Sequence, residues 1–428
     1  MPIHRPPRRA VGRFGTAAAS VFALVVTSCD GNGTTLPSEP APTVTSTTSP
    51  APVDDGTLRI GLLLPDSGDG VTIGQPMIDA ARLAADRINA AGGVLGKPIE
   101  VVDGPDEGDS ATTARDAISA LRDQDVDAVV GPASSPIALA TLDELLTRGV
   151  LTCSPTASSL ALDAYPDSEL FFRTIPSDSL QAVAIGQLAE ETGARSAIVT
   201  YLDDAYGRPF GEATVDALRA RGMTVVDPVP FAAGNPSLTV EASAIDQSDV
   251  GVVVVIADGE QGTRMLTALG EVADLFPDQD APLIIVNDAI RRPPSSQLVQ
   301  ALAADLRTRV VGLSPRAIGT EAGEPTGAYA TNAYDCVNLI ALAAAQAESD
   351  SGEEMADQMV EASSGGVSCR EFDDCVQLLA DDRNVDYDGP SGNLELGPSG
   401  DPVRARFDRF TFDERGVDVG AGSLTVTP

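Results

Sequence analysis

The chain has 428 residues, 43% of them apolar, with 28 basic against 63 acidic side chains and a formal net charge of −35. So acidic a surface repels phosphate and excludes nucleic acid as a natural partner. Its one histidine is His4, which leaves the rest of the chain without a Ser-His-Asp or Cys-His site and without an imidazole-ligated zinc. The length exceeds one ordinary domain and predicts two domains plus tails.

The first residues read as an address. Arg5, Arg8, Arg9 and Arg13 come with no acid, and residues 14–26 follow as an apolar stretch. Its length, about a dozen residues, is that of a signal-peptide core and not of a membrane-spanning helix. Val26-Thr27-Ser28-Cys29 then resembles a bacterial lipobox. It implies removal of residues 1–28 as a lipoprotein signal peptide, with lipid carried on Cys29. The net charge would move from −35 to −39, because four arginines leave and no acid does. Residues 29–56 are rich in Thr, Ser and Pro, cannot bury a core, and read as a flexible tether. The expectation is an extracytoplasmic body lipid-anchored to the cell membrane.

The globular part opens at 58–65 with the apolar run LRIGLLLP, a buried strand. A glycine loop (Gly68, Gly70, Gly74) leads to a helix over 77–91, a strand at 99–102 and a helix over 110–124. Strands at 128–130 and 149–153 flank a helix at 137–147. Alternating strand and helix with short joints is the parallel, doubly wound pattern. Two small-residue loops follow the last two strands: Gly131-Pro132-Ala133-Ser134-Ser135-Pro136 and Ser154-Pro155-Thr156-Ala157-Ser158-Ser159. Ligands of open α/β sheets bind beyond the carboxyl ends of strands, and hydroxyls with free N–H groups at a helix start suit a carboxylate. The same residues also serve as turns and N-caps. Apolar runs at 197–200, 224–226, 250–257, 283–287 and 310–313 repeat the pattern as a second doubly wound unit, without a short-period repeat.

Several stretches carry a resemblance. IGLLLP, AADRINAAGGVLGKPIEVV, VVGPASS and SPTASS look like the first lobe of extracellular solute-binding proteins of the branched-chain amino-acid (leucine/isoleucine/valine-binding) family, the type I periplasmic-binding fold. LFFRTIPSDSLQAVAIGQLA, AIVTYLDDAYGRPFGEATVDALRARGMTVV, GVVVVIADGEQGTRML and YATNAYDCVNLIALAAA continue the likeness in order, as does the glycine-rich DGPSGNLELGPSGDP. The resemblance implies an α/β fold of two doubly wound parallel-sheet lobes joined by a three-strand hinge. Lobe 1 would comprise 57–174 and 316–384, and lobe 2 would comprise 177–313 and 388–428. The hinges would lie near Thr174-Ile175-Pro176, Ser314-Pro315 and Asp386-Tyr387-Asp388-Gly389.

It also implies a site. The solute's carboxylate would meet Ser134 or Ser135, the Ser158 hydroxyl, and backbone at Thr156 and Ala157. Tyr206 would line the cleft from the second lobe, and Asp288 would hold the ammonium group, with Asp258 as a second candidate. Each acid is alternatively an N-cap, and Tyr206 a core or cap residue. The Thr72-Ile73-Gly74 loop lacks the aromatic residue some relatives place over the side chain, so a small polar amino acid, an amide or a urea-like solute all fit. After Cys29 four cysteines remain, which allow three pairings. Cys369 and Cys375, six apart, make the best pair. Cys153 and Cys336 would share the first lobe and form a second bridge, the alternative being buried free thiols.

The reading is a monomeric solute-binding protein that presents an amino acid or related solute to an ABC importer permease, without cofactor or metal. The alternative is a sensor that captures ligand for a receptor. An enzyme is disfavoured: there is no G-x-S-x-G elbow and no phosphate loop.

Overall fold

In the computed structural model the described residues are 54–166, 168–272, 281–291, 295–315 and 322–427. The segment read as a signal peptide, Cys29 and most of the stretch read as a tether lie outside them. No helix among the described residues is long and apolar enough to cross a membrane.

The first sheet is built from β1 (Arg59–Leu62), β2 (Glu100–Asp103), β3 (Ala128–Val130), β4 (Leu151–Ser154) and β5 (Phe171–Arg173), all parallel, in the order β2-β1-β3-β4-β5. The crossovers are α1 (Val71–Ala90), α2 (Ala111–Arg122) and α3 (Ser135–Leu146). Helix α1 buries Met77, Ala81, Ala84, Ala85 and Ile88, the three-to-four spacing of one helical face. It starts six residues before the position the sequence indicates and carries Pro76 inside it. Gly74 lets that early turn approach β1, since a Cβ there would fall 1.6 Å from the Pro65 carbonyl oxygen.

The chain crosses at Thr174–Ser177 into α4 (Asp178–Glu191), then β6 (Ser196–Leu202), α5 (Gly207–Ala220), β7 (Thr224–Val225) and β8 (Val229–Phe231). It continues through α6 (Thr239–Asp246), β9 (Val252–Ile256), α7 (Gly259–Glu271), β10 (Leu283–Val286), the short α8 (Ser295–Val299) and α9 (Ala304–Arg307), and β11 (Val310–Pro315). It then returns to the first core with α10 (Ala330–Ala347), α11 (Gly352–Ala362), β12 (Val367–Cys369), α12 (Phe372–Ala380) and β13 (Val385–Tyr387). Helix α10 is buried on every side from Ala330 to Ala344, where Thr331, Asn332, Asp335 and Asn338 are buried among the apolar and small residues. Finally β14 (Ala405–Phe412) and β15 (Asp418–Val426) complete the second sheet, in the order β15-β14-β11-β10-β9-β6-β7 with β8 also on β6. These last two strands are antiparallel, so the second sheet is not a copy of the first.

The third crossing lies later than the sequence placed it. Asp386 pairs with Ser368 in the β12–β13 ribbon, and the Tyr387 hydroxyl donates to buried Asp335 at 2.8 Å. Leu394 and Leu396 still pack in the first core, and the second sheet resumes only at Ala405. The glycine-rich stretch holds two turns, and the chain changes lobe at the second. Two disulfides are present among the described residues: Cys153–Cys336 ties β4 to α10, and Cys369–Cys375 ties β12 to α12.

Candidate functional site

The loops after β3 and β4 are laced to each other. Gly131 opens the first with φ +125°, and a Cβ there would sit 2.0 Å from the Leu63 carbonyl oxygen, so only glycine fits. The Gly131–Pro132 peptide is cis. Ser154 Oγ donates to the Pro132 carbonyl at 2.6 Å and accepts from the Ala157 N–H at 3.0 Å. Thr156 Oγ1 donates to the Ala133 carbonyl at 2.7 Å, and Ser135 Oγ accepts from the Ser159 N–H at 3.3 Å. Ser135, Thr156 and Ala157 therefore shape the wall through bonds of their own.

Ser134 precedes α3 without a side-chain cap bond. Its N–H and that of Ala133 point at the carboxyl group of Glu107, at 2.9 and 2.8 Å. Glu107 is 1% exposed. Burial pushes its pKa up to about 7, against the lowering effect of the two N–H groups. An internal carboxyl thus occupies the pair of N–H donors at the start of α3. The sequence reading missed this acid, whose only signal is its place in the loop after β2.

Ser158 points elsewhere. Its hydroxyl donates to Asp178 Oδ2 at 3.2 Å, and its carbonyl accepts the Asp178 N–H at 2.9 Å. Asp178 opens α4 and is 1% exposed. Its carboxyl is held well above the usual range, first by burial and then by the negative charge of Asp288. Asp288 itself follows β10, and its Oδ2 accepts from the Tyr329 hydroxyl at 2.7 Å. Tyr329 belongs to the first core, so this bond joins the second sheet's loop to the first lobe. Next to it, Asn287 is fully buried; its amide donates to Tyr206 Oη at 3.1 Å and to the Ala257 carbonyl at 3.0 Å. Asn287 Oδ1 has no partner among the described residues. Asp258 is exposed and caps α7, accepting the Gln261 N–H at 2.8 Å.

Behind the second loop sits Arg173, 0% exposed. It pairs with Asp401 at 2.6 Å and Asp163 at 2.7 Å and donates to the Ala157 and Ser159 carbonyls, both at 3.2 Å. One guanidinium therefore turns those two carbonyls inward and ties the first crossing to Asp401 in the third. A lone arginine after Phe171-Phe172 was its only mark in the sequence. Ser158 is bonded to Asp178, Asp288 to Tyr329 and Tyr206 to Asn287, and the charge of Asp288 acts on the Asp178 carboxyl. Every contributing loop lies beyond the carboxyl end of a strand, where α/β sheets bind ligands. No group of three or more acidic, histidine or cysteine side chains among the described residues is arranged to hold a metal.

Comparison with known proteins agrees with the fold. A family model described as periplasmic binding protein matches residues 57–374. A substrate-binding protein of a chemotactic signal transduction system, BasB of Halobacterium salinarum, is 25% identical over 363 residues, covering 81% of this chain and 85% of that protein. The Leu/Ile/Val-binding protein BraC3 of Rhizobium johnstonii is 27% identical over 224 residues, 52% of this chain and 60% of its own length. Among solved structures, the branched-chain amino-acid transporter substrate-binding protein LivJ of Streptococcus pneumoniae, in complex with isoleucine, aligns with a TM-score of 0.65 at 22% identity. That alignment covers 87% of this chain and all of LivJ. A solute-binding protein from R. palustris in complex with benzoate aligns with a TM-score of 0.63 at 16% identity, covering 87% of this chain and 98% of that one. Both share the fold.

Proposed function

The chain belongs to the periplasmic binding protein family, and on that premise we propose that it captures an amino acid or related small solute between its two lobes and presents it to an ABC importer. The observation that carries this reading is the convergence of Ser158, Asp178 and Asp288. The Ser158 hydroxyl is bonded to the buried Asp178 carboxyl, and Asp288, from the loop after β10, lies close enough for its charge to act on that carboxyl. A carboxylate in so desolvated a place favours an opposite charge, and an ammonium group supplies it while the Ser134, Ser135, Thr156 and Ala157 wall faces the solute's other end. Tyr206, held by Asn287, borders the same loop; Asp258 stands one strand away as a lesser contact. The body acts outside the cytoplasm, held to the membrane by lipid on Cys29 and the 29–56 tether.

The test is a thermal shift series on the full chain with amino acids, small amides, urea and aromatic acids. A solute that binds the native state alone stabilises it by about 2.7 kcal/mol at a hundredfold excess over Kd. The proposal expects this shift from an ammonium-bearing solute and its loss in Asp288→Asn. A shift from amides or benzoate alone, or one kept in Asp288→Asn, overturns the ammonium assignment.

A second reading, capture for sensing, draws on the chemotactic role in the name of the halobacterial relative. The two are separated by solute uptake in cells lacking the protein. Lost uptake supports transport, and normal uptake with a lost behavioural response supports sensing.

A further inference from the structure

A cavity of about 840 Å³ opens at the other end of α3 from the proposed solute site. Helix α3 runs from Ser135 at the binding loops to Leu146 at this cavity; twelve residues of helix span about 18 Å. The volume lies within the range of roughly 300–1,000 Å³ usual for small-molecule sites.

The floor and the rim of the cavity differ in kind. Its less exposed lining is apolar or aromatic: Leu146, Leu170, Ala356 and Tyr165. Asp143, Glu169, Glu353, Glu354 and Asp357 stand around it, and neither lysine nor arginine is among its lining residues. Five acids without a base reject an anion. A bare metal ion is not served either, since the described acids form no metal-holding group and an apolar floor offers it no ligand. The complementary occupant has an apolar body for the floor and a positive head for the rim. The Tyr165 ring suits both, because an aromatic face attracts a cation as well as hydrocarbon.

We propose that this cavity is a second binding site, for a small amphipathic organic amine. The site is independent of the solute site, from which α3 separates it.

The test is calorimetric titration of the full chain with phenethylamine, set against phenylacetate and 2-phenylethanol. Phenethylamine is expected to bind, with affinity that falls as salt is raised, and the two controls are expected not to. Glu169→Gln/Asp357→Asn, both exposed changes, should weaken the amine by about tenfold and leave the thermal shift by the cleft solute unchanged. Equal binding of phenylacetate or the alcohol overturns the proposal, as does unchanged amine affinity in the double variant. Competition between the amine and the cleft solute also overturns it, by placing the amine in the cleft. A dimer seen by sedimentation velocity and abolished by Glu169→Lys would overturn it in favour of a second copy of the chain.

Discussion

The loops that end the first sheet and those that end the second are built on different terms. After β3 and β4, the Ser154, Thr156 and Ser135 hydroxyls and the N–H groups of Ala133, Ser134 and Ala157 all have partners within the same lobe. After β10, Asp288 reaches across to Tyr329 of the first core, and Asn287 keeps one buried oxygen unpartnered among the described residues. The loops after β3 and β4 are bonded among themselves, and the loop after β10 is bonded to the first core. On the proposed function, preorganisation of one half would lower the ordering cost of binding, and the half bonded across the lobes is the one that closure about a hinge would rearrange.

The largest effect is expected where the first wall is pinned. Arg173→Ala leaves Asp163 and Asp401 facing a buried vacancy and frees the Ala157 and Ser159 carbonyls. Breaking a buried ion pair from one side costs about 3–5 kcal/mol, read as a lower urea midpoint. Arg173→Lys keeps the charge but not the planar fork that serves four partners, and should recover only part of the loss. Full stability in Arg173→Ala would mean that the wall does not depend on this residue.

The next largest concerns Glu107. Its pKa rises from 4.5 to about 7 on folding, so between these values the folded chain holds a proton the unfolded chain has released. Its contribution to stability is therefore fullest below about pH 4.5 and is lost as pH rises through about 7. Each pKa unit corresponds to about 1.4 kcal/mol, so the whole change is on the order of 3 kcal/mol. Glu107→Gln removes that slope. Asp127 and Asp335 are also raised to about 7 by burial, so the difference between wild type and variant across pH 4–8 is what isolates Glu107. An unchanged slope would show that Glu107 is not the group titrating there.

Asn287 tests the second wall. Asn287→Leu leaves the Ala257 carbonyl and Tyr206 Oη without its amide, at a cost of about 1–3 kcal/mol for the buried acceptor left behind. Because Tyr206 then loses its positioning bond, solute affinity should fall along with stability. The analogous loss of one lacing bond in the first wall, Thr156→Val, should lower stability with little effect on affinity. Equal effects on affinity from the two variants would erase the distinction between a preformed and a completing half.

Much of the fold was legible because parallel strands buried on both faces read as unbroken apolar runs. Val252–Ile256 and Leu283–Val286 are such runs, and both are strands. What escaped was written in weaker signals. β14 and β15 alternate with charged and exposed residues, ARFDRFTF and DVGAGSLTV, and an antiparallel edge pair of that kind imitates loop. Pro76 and Gly74 hid the first turns of α1, because neither favours a helix interior. Ser158, Tyr206 and Asp288 do lie past strand ends, as their positions in the sequence indicate. Glu107, Asp178 and Arg173 could not be singled out, since their roles depend on burial and on partners far away in sequence. Arg173 and Asp401 are 228 residues apart.

The smallest expected effect sharpens the contrast at the point where the two walls meet. Ser158 Oγ donates to Asp178 Oδ2 at 3.2 Å, a bond that lowers the Asp178 pKa against burial and the charge of Asp288. Ser158→Ala removes that donor, so the Asp178 pKa moves further up. An ammonium-bearing solute then loses a hydroxyl contact and part of its counter-charge together, for a loss of about 0.5–1.5 kcal/mol, or up to roughly tenfold in Kd. Ser158→Thr restores the hydroxyl and should restore affinity. Ionised Asp178 is the form that attracts the solute's cation, so wild-type affinity is expected to rise with pH as this carboxyl gives up its proton. In Ser158→Ala that rise should come at higher pH. Calorimetry of both proteins across pH at fixed salt reads the displacement directly. Coincident profiles would leave Ser158 a role in wall packing alone, with no influence on the charge of Asp178.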